Sequence, residues 1–205
     1  MLELLTGTGL ATASGLGAFL PMLIVGLLDR FTGLMSLPAG WDWLSSDAAL
    51  ITVGVLTVLD IVADKIPAID TINDAIQTVV RPASGGIVFG AGATAQTVSL
   101  DDPSQFFANH TWVAVVLGAV IALATHLGKA STRAAANAAT VGAAGPLLST
   151  GEDAMSFGLV ASAVLAPILV LVLIAGLVVM AVALTRWLRA MLGRRKARAQ
   201  TTPAS

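Results

Sequence analysis

The sequence predicts an all-α membrane protein, a bundle of about six transmembrane helices with internal repeats and one amphipathic or re-entrant helix. Three observations carry this. Hydrophobic residues make up 56% of the 205-residue chain and charged residues only 11%, against about 25% charged in ordinary soluble domains. Mean hydropathy is +0.87. The apolar residues fall into several runs separated by short polar segments, more than one soluble core of this length can bury.

A spanning helix needs roughly 20 mostly apolar residues. The runs expected to span are residues 8–28, 48–63, 83–100, 111–127, 130–148 and 155–184. Together they form a single transmembrane domain over residues 1–190. The first run has no basic segment before it and no cleavage motif after it, so it is read as a retained helix. Pro167 falls inside the last run and should kink it. Residues 130–148 are rich in Ala, Gly, Ser and Thr, which suits a span shielded by its neighbours. Residues 69–81 read differently. Ile69, Ile72, Ile76, Val79 and Val80 recur at helical spacing, with Asp70, Asn73, Asp74, Gln77 and Arg81 opposite. This is an amphipathic helix lying at the inner surface or dipping into the bilayer.

Lys and Arg in short loops set orientation. With six spans, Lys65, Arg81, Lys129, Arg133 and the basic run Arg194-Arg195-Lys196 fall inside, and only Arg30 falls outside. Both termini are then expected in the cytoplasm, with residues 191–205 a basic, disordered tail. Trp41, Trp43 and Trp112 gather at the outer interface and Trp187 at the inner one, as amphipathic rings prefer.

Internal matches support duplication. A shift of 64 aligns Gly54 with Gly118, Lys65 with Lys129, Asn73 with Asn137 and Pro82 with Pro146. A shift of 125 aligns Gly17, Ala18 and Pro21 with Gly142, Ala143 and Pro146. Repeats with Pro- or Gly-interrupted helices point to transporter sites at a repeat interface; the plainer reading is a duplication kept for packing.

Ionisable groups at membrane depth are costly and mark sites by default. Asp60 and Asp64 share a helix face, as do Lys129, Arg133 and Asn137. The expected polar path consists of Asp60, Asp64, Lys65, His126, Lys129, Arg133 and Asn137. Cross-pairing of Asp60 or Asp64 with Lys129 or Arg133 should neutralise buried charge. Against this, charges at span ends commonly snorkel to the headgroups. Glu152 and Asp153 are expected in an outer loop, as a helix cap or an acidic site. Gly86 and Gly90 fit helix packing, and Asn109-His110-Thr111 fits a glycosylation sequon.

The chain has no cysteine and two histidines, so neither thiolate metal sites nor disulfides form and no cofactor is expected. No metal can be assigned. No nucleophile–base pair stands out, so an enzyme is not expected. A secondary transporter or channel-like permease for a small ion or solute is the leading expectation, with Asp60 or His126 handling the proton or cation. A membrane scaffold docking a protein partner or anionic lipid through its basic tail is the alternative, and an intramembrane enzyme on lipid-linked substrates a further one. Partners are the bilayer, anionic lipid at the tail and a second copy of the chain, with no nucleic acid.

Several motifs also resemble those of a bacterial family of small polytopic membrane proteins, a domain of unknown function. Gly15-Leu16-Gly17-Ala18-Phe19-Leu20-Pro21 is similar to its GLRAFLP-like opening, with Gly17 where that motif carries Arg. Asp64-Lys65-Ile66-Pro67-Ala68-Ile69-Asp70 resembles its DKIPxxD motif, and Arg81-Pro82 its RP pair. Lys129, Arg133 and Asn137, then Ser149, Glu152 and Asp153, resemble its K-x3-R-x3-N and S-x2-ED elements. The likeness covers about residues 8 to 175. It implies a bacterial inner-membrane location and the choice of key residues, and it implies no substrate.

Overall fold

The computed structural model describes residues 2–38, 40–94, 96–97, 111–140 and 143–200. Among them the chain is almost wholly helical: α1 (Leu2–Leu16), α2 (Phe19–Phe31), α3 (Asp47–Ala63), α4 (Pro67–Thr94), α5 (Thr111–Thr140), α6 (Gly145–Leu165) and α7 (Ile168–Gln200). A two-stranded ribbon pairs Met35 with Thr97 and Ser36 with Gln96.

Prolines set the breaks. Pro21 has no N–H for the carbonyl of Gly17, and its ring crowds that carbonyl. The helix accordingly stops at Leu16 and restarts at Phe19. Contacts on either side show that the chain folds back there. Along α1, Gly7 lies against Phe89 and Ala93, and the Gly15 carbonyl meets Arg81. Along α2, the Ala18 carbonyl takes the Ser84 hydroxyl, and Gly26 packs on Leu44 and Leu50. Both helices therefore run between the middle of α4 and the ribbon end. Residues 8–28, expected as one span, form a helical hairpin with its tip at residues 16–19.

Pro167 acts the same way. It cannot serve the Ala163 carbonyl, which instead accepts the Thr6 hydroxyl at 2.9 Å. Gly9 faces both Ala163 and Val170, while Leu148 and Leu184 pack together on Ala136 and Ala139. α6 and α7 are thus an antiparallel pair rather than one kinked span over 155–184.

Two further expected boundaries move. Residues 69–81 and 83–94 form one helix, because Pro82 removes one bond without ending α4; residues 98–100 lie outside the described residues, as do Asn109 and His110. Residues 130–148 are not a separate span. Their small residues extend α5 to Thr140, then turn into α6, where Pro146 suits the first turn. The basic stretch expected to be disordered continues α7 as far as Gln200, in keeping with its Ala, Arg and Leu content.

The result is four long helices, α4 to α7, packed around α1, of which ten residues are buried, with α3 packed on α2. Helices α4 and α5 cross at glycines. A Cβ on Gly85 would sit 2.8 Å from the Gly118 carbonyl and collide with Ala122, whereas one on Gly158 would meet nothing. Gly86 abuts the Val115 carbonyl and Gly90 the Trp41 ring, so this glycine pair does serve packing. Gly85→Ala is expected to lose about 1–3 kcal/mol of stability by overpacking, with Gly158→Ala unchanged. Thermal melts in detergent check this, and equal melts would refute the crossing.

The outside of the bundle is apolar. Ile51, Val55 and Val58 on α3, and Val172 and Val179 on α7, are all more than half exposed. Two helices are long and apolar enough to cross a membrane, at Trp112–Thr140 and Ile168–Trp187, with mean hydropathy 1.8 and 3.1. An outer surface of this kind indicates membrane association.

Candidate functional site

The polar residues converge where the hairpin tip meets the middle of the bundle. α3 brings Asp60 and Asp64, one turn apart. α4 brings Asn73, Asp74, Gln77, Thr78, Arg81 and Ser84. α5 brings His126, Lys129 and Arg133, and α6 brings Ser149, Glu152 and Ser156. Arg81 and Arg133 are among the largest side chains to be completely enclosed.

Asp64 is the hub. Its Oδ2 accepts from Lys129 Nζ at 2.9 Å and lies 3.5 Å from Arg133 and 3.8 Å from Arg81. Lys129 also reaches Glu152 at 3.1 Å, and Arg133 donates to the same carboxylate. Two of the cations seize the hairpin tip. Lys129 Nζ donates to the Leu16 carbonyl at 2.8 Å and Arg81 Nη1 to the Gly15 carbonyl at 3.3 Å. These are last-turn carbonyls of α1, the negative end of a helix dipole, where cations are favoured.

His126 is held from both sides. Arg81 Nη1 lies 3.0 Å from Nδ1, and Arg81 can only donate, so Nδ1 accepts. The ring hydrogen therefore sits on Nε2. It points to the Thr78 hydroxyl, 3.0 Å away, whose own hydrogen goes to the Asp74 carbonyl.

Asp60 is bonded differently. Its Oδ1 accepts from Asn73 at 2.9 Å and Gln77 at 2.8 Å, both neutral amides. Asn73 also bridges to Asp64 Oδ1 at 2.9 Å. No ion pair reaches Asp60 among the described residues, although it is only 8% exposed. The expected cross-pairing holds for Asp64 and not for Asp60.

Other expected residues fall elsewhere. Lys65 lies at the rim, half-exposed, and pairs with Asp153 at 2.9 Å. Asn137 is off the cluster, its Oδ1 buried without a partner beside the α5–α6 turn. Glu152 and Asp153 are not at the opposite end from the basic residues. They lie beside Lys129, Arg133 and Lys65, because residues 130–148 turn back instead of crossing.

The residues that sequence reasoning left out of the site came mostly from α4. Its polar face was legible, and that face turns to the protein interior. Ile72, Ile76 and Val79 are the exposed face, at 64%, 58% and 75%, while Gln77 and Arg81 are buried. The spacing of Asn73, Gln77 and Arg81 at i, i+4 and i+8 was the available signal. A cavity of about 630 Å³ adjoins the cluster between α1, α5, α6 and α7, apolar except where Lys129, Glu152 and four threonines face it. Among the described residues, no group of three or more His, Asp or Glu side chains is arranged to ligate a metal.

The fold and site define an all-helical, membrane-associated bundle with charged residues sealed into its centre. The chain belongs to the family described as Domain of unknown function (DUF4126), whose model matches residues 4–187. No curated protein and no solved structure matches it.

Proposed function

We propose that the protein is a small permease or secondary transporter of the bacterial inner membrane, with Asp60 as its ion- or proton-handling group. One observation carries this reading: a helical hairpin has its broken tip beside a buried carboxylate that, among the described residues, has no cation in ion-pair contact. Irregular backbone at membrane depth is tolerated where protein buries it or where it lines a cavity, and broken helices meeting at mid-depth are the usual build of transport sites. Five crossings, α3 to α7, accompany the hairpin.

Basic residues support the orientation. Lys65, Lys129 and Arg133 lie on the side of the bundle toward which α7 runs past Leu184, and Arg30 lies at the other end. The positive-inside rule makes the first end cytoplasmic. The C-terminus is then inside. On this reading the N-terminus, expected inside, falls outside, since α1 starts at the ribbon end. The cysteine-free chain allows a direct test. Ser36→Cys should react with an impermeant maleimide in intact cells, and Ala143→Cys only after permeabilisation. The reverse pattern would invert the topology.

Flux of protons or small cations into proteoliposomes tests the transport reading itself. Flux that depends on the protein and falls in Asp60→Asn supports it; empty-liposome rates for every ion tried would remove it. The scaffold reading is favoured by the dense pairing around Asp64, which could serve rigidity alone. It predicts loss of function on neutralising Arg194, Arg195 and Lys196, with flux absent throughout.

A further inference from the structure

We propose that the space beside Gly17 is a binding site for one monovalent alkali cation, ligated by Asp60 Oδ2, Ser156 Oγ and the Gly17 carbonyl oxygen. The inference deepens the transport reading by naming what Asp60 holds, and it rests on that reading only for the ion's purpose.

Four observations converge. A Cβ on Gly17 would lie 4.0 Å from Asp60 Oδ2 and 4.0 Å from Ser156 Oγ, with no other atom within that distance outside its neighbours in the chain. Both oxygens thus lie in ordinary contact range of the position a side chain at 17 would take. Asp60 Oδ2 has no partner among the described residues, since Asn73 and Gln77 both bind Oδ1. Ser156 donates its hydrogen to the Ala13 carbonyl at 3.1 Å, so its lone pairs remain to be used. Finally, Pro21 denies the Gly17 carbonyl its helical donor. At the equivalent break, the carbonyl stranded by Pro167 is served by Thr6; no described side chain serves Gly17.

Charge selects the ion. The described cluster holds four carboxylates (Asp60, Asp64, Asp74 and Glu152) and three permanent cations (Arg81, Lys129 and Arg133). With His126 accepting from Arg81, carboxylates outnumber cations by one among these described groups, and Asp60 is the carboxylate with no cation within 4 Å among them. A single positive charge completes the balance and a divalent ion would overshoot it. The ligands are all oxygen, from a carboxylate, a hydroxyl and an unwound carbonyl, which suits a hard cation such as sodium.

The test is sodium-dependent thermal stability of the purified protein in detergent, with choline chloride holding ionic strength and pH constant. Wild type should gain about 4 °C at ten times the dissociation constant of the sodium site. Asp60→Asn and Gly17→Ala should lose that gain. Gly17→Ala meets no steric clash, so its melt in choline should match wild type, which separates loss of the site from loss of fold. Equal melting in sodium and choline, a sodium gain that survives in Gly17→Ala, or a melt that responds only to pH and not to sodium would each overturn the proposal. Sodium binding without any flux would leave the site standing and overturn the transport reading alone.

Discussion

Asp64→Asn should prevent the protein from accumulating in folded form. One carboxylate oxygen gathers Lys129, Arg133 and Arg81. Removing one partner of a buried ion pair costs about 3–5 kcal/mol, because the partner's charge remains buried. Here three cations lose their shared counter-charge, against a typical total stability of about 5–15 kcal/mol. The hairpin tip would loosen too, since Lys129 and Arg81 carry its carbonyls. Size-exclusion profiles and thermal melts of detergent extracts measure this. Adding Lys129→Met to Asp64→Asn should recover part of the loss, because it removes the most tightly coupled orphan charge. A single Asp64→Asn protein that melts with the wild type would rule out the hub.

Asp60→Asn should do the opposite: leave the fold and remove the activity. Asparagine retains an oxygen for the Asn73 and Gln77 amides, and fills the same volume. No cation is orphaned, because none pairs with Asp60. What goes is the negative charge at the hairpin tip. Flux in proteoliposomes should fall on the order of a hundredfold, corresponding to about 2.7 kcal/mol of lost ion stabilisation, with a melting temperature close to wild type. Wild-type flux in this variant would end the role given to Asp60. The two substitutions lie one helical turn apart, so the contrast between them isolates charge partnering from depth.

Much of the site was legible because its chemistry is rare in an apolar chain. Asp60, Asp64, His126, Lys129 and Arg133 stood out for being ionisable within or beside hydrophobic runs, and they do meet. Helix direction was less legible. Hydropathy registers a run of apolar residues and not a reversal within it, so residues 8–28 and 155–184 each read as one span. Pro21 and Pro167 marked both reversals, but proline equally produces a mere kink. Residues 130–148 were misplaced for a related reason: small residues serve a shielded span and a tight turn alike. The amphipathic pattern of α4 was correctly seen as a helix, while what covers its polar side was not legible. In lipid the apolar side points out, so the polar side of Gln77 and Arg81 marks the interior.

That inward polar face also constrains how the chain enters the bilayer during synthesis. The first half of α4 carries Asn73, Asp74, Gln77 and Arg81 and has too few apolar residues to leave the translocon for lipid unaided. Arg81 meets its described partners Asp64 and Asp74 early, but the cations closest to Asp64, Lys129 and Arg133, are made only when α5 emerges. Burial of Asp64 is therefore a deferred step: it waits, partly solvated, until the ribosome has delivered the two α5 cations that pair with it.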